Sequence, residues 1–162
     1  MYDGELLQEL LKKEHNQILK SILICFDSTE KFESLLAVRE QVDKAAYAMY
    51  VRMAIQTDTH DVPLELLLKV LDGLTQEDLM SKEELEKLEQ MPEVLTIYRG
   101  TDACEFPPRI SWSLNKETAR RFDSGQMYKA MINKKDIYGY FSCNGDEEEI
   151  IAHVTDNFDD IL

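Results

Sequence analysis

A change of hydrophobic rhythm at Met91-Pro92 splits this 162-residue chain into two kinds of local structure. Before it, apolar residues recur at helical spacing. After it come short β-branched and aromatic runs separated by turn residues. Leu6, Leu7, Leu10, Leu11, Ile18, Leu19, Ile22 and Leu23 mark a first helix. Asp27 or Ser28 suits the cap of a second, long helix running through Phe32, Leu35, Val42, Met49 and Met53. Residues 57–62 read as a break. Pro63 then suits the first turn of a leucine-rich helix that Gly73 ends. Thr75 with Asp78, and Ser81 with Glu84, have the spacing of capping boxes for a short helix and a longer one.

Beyond Pro92 the strand candidates are 94–98, 110–114, 126–132, 136–141 and 148–154. A short helix over 116–122 is capped by Asn115. Ser124-Gly125, Asn133 and Asn144-Gly145 supply turns. Helices first and strands after predict an α+β chain, with a helical lobe over 1–92 and a β-rich part over 93–162.

The net charge of −14 is spread over both parts. That excludes nucleic-acid binding through a general phosphate-neutralising surface. Cys25, Cys104 and Cys143 are odd in number and widely spaced, which points to neither a zinc site nor a disulfide framework and suits a reducing cytoplasm. His15, His60 and His153 stand apart, without metal-ligand spacing. The first residues lack a basic and apolar leader, and no apolar run is long enough for a bilayer, so neither a secretory signal nor a membrane span is expected.

Three short stretches carry candidate chemistry: Tyr98-Arg99-Gly100, Ser111-Trp112-Ser113 and Glu147-Glu148-Glu149-Ile150-Ile151. Arginine offers a planar fork for phosphate or carboxylate. A serine hydroxyl can hold a carboxylate in place. Glu149 runs directly into Ile150-Ile151-Ala152, and a carboxylate entering a buried strand needs a partner. Glu147 lies two residues earlier, on the same face if the strand extends that far. Taken singly, each stretch reads first as surface: an arginine after an aromatic strand, a serine, an acidic turn.

In order, local context and spacing the three stretches resemble the R-S-E signature of arginine-type mono-ADP-ribosyltransferases. The likeness spans about residues 94–155 and includes Leu114-Asn115-Lys116-Glu117-Thr118-Ala119 and Phe122. It departs at Trp112, where the family usually has threonine. The resemblance implies a mainly antiparallel two-sheet β core, a helical lobe covering an NAD cleft, NAD as substrate and no metal. It implies that Arg99 binds an NAD phosphate or the nicotinamide-side ribose, and that the Gly100 backbone meets the carboxamide. Ser111 would orient Glu149, which would stabilise the ribosyl cation. Glu147 would activate a protein arginine as acceptor, and Phe122 would wall the nicotinamide. The demand on the carboxylate is that of glycoside cleavage, where positive charge grows on the sugar ring. Two other readings fit the same residues: an NAD glycohydrolase with water as acceptor, and an inactive module that grips a protein partner through its helices.

Overall fold

The computed structural model describes residues 4–57, 59, 61–102, 105, 108–142, 148–155 and 158–161, with backbone alone over 4–13 and at His15. The chain is α+β, helices first. It divides into two compact units, Met1–Leu74 and Thr75–Leu162. Among the described residues no helix is long and apolar enough to cross a membrane.

The first unit holds α1 (Gly4–Cys25), α2 (Ser28–Val38), α3 (Lys44–Thr57) and α4 (Leu64–Leu71). The long second helix of the sequence reading is two helices. A 3-10 turn at Arg39–Gln41 follows α2, Val42 is extended, and the Asp43 carboxylate accepts the Ala46 N–H at 3.2 Å to start α3. The Tyr47 hydroxyl donates to the Val70 carbonyl at 3.0 Å, and burial pushes its pKa up to about 12 against the opposing charge of Arg39. Arg39 donates to the carbonyls of Lys69 and Asp72, satisfying the end of α4 where Gly73 turns away at φ +79°.

The second unit opens with α5 (Gln76–Leu79) and α6 (Lys82–Glu89). Both expected capping boxes form, Thr75 with Asp78 and Ser81 with Glu84. Then follow β1 (Val94–Asp102), β2 (Ser111–Ser113), α7 (Lys116–Arg120), β3 (Gly125–Asn133), β4 (Gly139–Phe141), β5 (Glu149–Ile151) and β6 (Phe158–Asp160). Glu84 is buried because its second oxygen accepts the Ser142 N–H at 3.0 Å, tying the start of α6 to the end of β4. Gln76 donates to the carbonyls of Lys134 and Ile137 and so anchors α5 to the turn between β3 and β4.

The described strands form one six-stranded antiparallel sheet in the order β4-β5-β2-β1-β3-β6. Its pairing is uneven. β1 pairs with β3 over its whole length, from Val94 opposite Asn133 to Asp102 opposite Gly125. β2 pairs with β5 throughout, and β5 with β4. Between β1 and β2 the register is recorded at one position, Tyr98 opposite Ser113. The sheet is thus two three-stranded ladders meeting at a narrow seam. β1 also continues past the expected end at Tyr98, because β3 keeps pairing with it. β6 was not expected. It pairs at the sheet edge, where the Phe158 ring meets Tyr128 edge-on at 5.3 Å.

Candidate active site

Register fixes which side chains can meet. Tyr98 lies opposite Ser113, and Ser113 opposite Glu149, so Tyr98, Gly100, Ser111, Ser113 and Glu149 share one face of the sheet by alternation. On that face the Ser111 hydroxyl donates to Glu149 Oε2 at 2.7 Å. Glu149 is half-buried at the head of β5, with Ile150 and Ile151 fully buried behind it. The hydroxyl is the partner such a carboxylate requires.

Arg99 points to the opposite face, with Thr101. It reaches the site through the seam: Nη1 donates to the Ser111 carbonyl at 2.6 Å. Arg99 and Glu149 therefore hold the same serine, one by its backbone and the other by its side chain. The rest of the fork is engaged by Glu105, with Nε on Oε2 at 2.8 Å and Nη2 on Oε1 at 2.7 Å. The pair is largely screened from water, with side chains 17% and 12% exposed. Burial pushes the Glu105 carboxyl up. The Arg99 fork, the Arg109 backbone N–H and the Thr101 hydroxyl together outweigh it and hold the carboxyl below its usual range. The Tyr128 hydroxyl donates to the Glu105 carbonyl at 3.0 Å.

Arg99 also lies at the seam. The Thr101 carbonyl accepts the Ser124 N–H on the β3 side, so the Gly100 backbone groups point the other way, toward β2. The Ser111 carbonyl on that side accepts from Arg99. The guanidinium thus gives this carbonyl a donor just beyond the Tyr98–Ser113 pair.

Gly100 has a second role set by packing. A Cβ there would lie 2.1 Å from the Ala119 carbonyl oxygen and 2.8 Å from the Asp123 N, so only glycine lets the end of α7 approach β1. The same Ala119 carbonyl accepts the Phe122 N–H. Phe122 follows α7 and is 63% exposed. Asn115 caps α7 as expected, accepting from the N–H groups of Glu117 and Thr118.

Trp112 stands opposite Ile150 and is 2% exposed. The middle position of β2 thus faces the interior, away from Ser111, and a large apolar residue fits there. Glu148 and Glu149 are separated in the same way: Glu148 accepts the Tyr140 hydroxyl at 3.1 Å. Burial, then the bond and charge of Glu148, push the Tyr140 pKa up to about 12. Glu147, expected to prepare the acceptor, lies outside the described residues, as do Cys104, Cys143, His60 and the Asn144-Gly145 turn.

Sequence reading passed over Glu105. A single acidic residue before Pro107-Pro108 carries no periodicity, and its only signal is its nearness in sequence to Arg99. No protein-family model, curated protein or solved structure matches this chain.

Proposed function

We propose that this protein is a mono-ADP-ribosyltransferase of the R-S-E type, which cleaves NAD and transfers ADP-ribose to a protein arginine. The observation that carries the reading is the continuous chain from Arg99 through the Ser111 carbonyl and hydroxyl to Glu149, with links of 2.6 and 2.7 Å. Three residues named for their chemistry, 12 and 38 positions apart, are joined at one seam.

On this reading Glu149 faces the ribose as nicotinamide departs and stabilises the positive charge that grows on the sugar. Ser111 fixes the orientation of Glu149, so little reorganisation is left for the reacting state. The Gly100 backbone, turned toward the seam, offers its groups to the carboxamide. The bonds of Arg99 engage Nε and one N–H on each terminal nitrogen, which leaves one N–H on each to reach a ribose hydroxyl or a phosphate oxygen. Phe122 supplies an exposed ring for the nicotinamide, and Glu147 accepts the proton of the attacking arginine. The expected two-sheet core would divide this single sheet at the Tyr98–Ser113 junction, with β4-β5-β2 on one side and β1-β3-β6 on the other. NAD is the substrate, no metal takes part, and the cytoplasm is the compartment that the cysteine pattern suits.

The test is nicotinamide release from NAD by wild type and Glu149→Gln, with and without agmatine as an arginine analogue. Release that is lost in the variant, with ADP-ribose appearing on agmatine, is the expected result. Release without labelled agmatine replaces transfer by hydrolysis, with water as acceptor. Absence of release by the wild type overturns the reading.

A further inference from the structure

Glu105 takes no part in the chemistry proposed above, yet it is held from several directions. Both carboxylate oxygens accept from Arg99, at 2.8 and 2.7 Å. Thr101 and the Arg109 backbone N–H donate to the same carboxylate. Its own carbonyl accepts from Tyr128. Burying two charges costs desolvation that their attraction only partly offsets, so stability alone is a weak reason for such a pair. What a bidentate pair does supply is direction, because it fixes the plane of the guanidinium. With Nε and Nη2 pinned on Glu105, Nη1 is left aimed at the Ser111 carbonyl.

Resting on the NAD-cleaving reading, we propose that Glu105 is a positioning residue: it clamps Arg99 edge-on against the Ser111 carbonyl, and so holds Ser111 and, through its hydroxyl, Glu149. The opposite arrangement is an internal competitor, in which the Glu105 carboxylate fills the fork until a substrate phosphate displaces it. The two differ in sign. Removing a clamp lowers kcat as the reacting groups are misaligned, and KM for NAD holds or rises, because Arg99 also reaches NAD. Removing a competitor frees the fork and lowers KM.

The experiment compares wild type, Glu105→Ala and Glu105→Gln for nicotinamide release, each with and without added acetate, and follows the Arg99 Nε–H signal by nitrogen-edited NMR. In Glu105→Ala, kcat is expected to fall about 100-fold, the size of effect seen when reacting groups are misplaced by an ångström. KM holds or rises. Acetate, a free carboxylate of the right size, restores part of the lost kcat. Glu105→Gln keeps the volume and one acceptor and falls between the two. The Arg99 Nε–H signal is slow to exchange in the wild type, fast in Glu105→Ala, and slowed again by acetate. A lowered KM with kcat maintained, or a kcat indifferent to both substitutions, overturns the clamp. A wild type that releases no nicotinamide overturns the transferase reading instead. The clamp is then decided by the NMR signal alone, and an Arg99 Nε–H unaltered by Glu105→Gln refutes it.

Discussion

The Ser111 hydroxyl meets Glu149 Oε2 at 2.7 Å across the β2–β5 pair, so the carboxylate is oriented by a strand that Arg99 also holds. Ser111→Ala removes the hydroxyl that donates to that oxygen while keeping the strand. We expect nicotinamide release to fall about 10- to 100-fold in Ser111→Ala, and about 100- to 1,000-fold in Glu149→Gln, the range seen when a preorganised electrostatic group is lost. Circular dichroism should show both folds intact. Equal rates for Glu149→Gln and wild type would remove Glu149 from the chemistry.

Trp112→Thr restores the residue that the resembled family usually carries. Because Trp112 is buried opposite Ile150, the exchange leaves a cavity and places a hydroxyl in an apolar interior. We expect a loss of about 3–5 kcal/mol in denaturant unfolding, as for other large core truncations. Activity per folded molecule should change little, since the side chain faces away from Ser111.

Gly100→Ala puts a methyl into backbone atoms that have no flexible end to move, 2.1 Å from the Ala119 oxygen. The variant should lose at least about 3 kcal/mol, the upper part of the usual range for overpacking. Its thermal midpoint should drop, and the amides of α7 should exchange faster with solvent.

Two groups give opposite pH signatures. The folded Glu105 carboxyl sits below its unfolded value, so its contribution is present above that value and is lost as pH falls through the lower, folded one. Glu105→Gln should therefore flatten the acid limb of the stability curve. Tyr140 is raised from 10.0 to about 12, so its contribution is full below 10 and is lost as pH climbs toward 12. Tyr140→Phe should remove that alkaline loss, and tyrosinate absorbance should show the late titration shrink to that of Tyr47.

Local chemistry was legible in the chain, and pairing over distance was not. Thr75 with Asp78, Ser81 with Glu84, and the Asn115 cap follow from rules that span three residues, and all three form. The break at Arg39–Gln41 was hidden because the apolar stripe continues across it while Asp43 quietly starts a new helix. The reach of β1 beyond Tyr98 depends on β3, some thirty residues on, and nothing local announces it. β6 carries Asp159 and Asp160, poor strand formers that pairing with β3 overrides. Arg99, Ser111 and Glu149 could be named from residue type and order. That they would be linked through one serine's two ends required the register.

Strand pairing is made by the backbone, and almost any sequence can therefore make it. Where two neighbouring strands part, the carbonyls they leave need other donors. At the junction of β1 and β2 the Arg99 guanidinium supplies one to the Ser111 carbonyl that faces Gly100. A side chain thus does, for one group, the service that a neighbouring backbone gives elsewhere in the sheet.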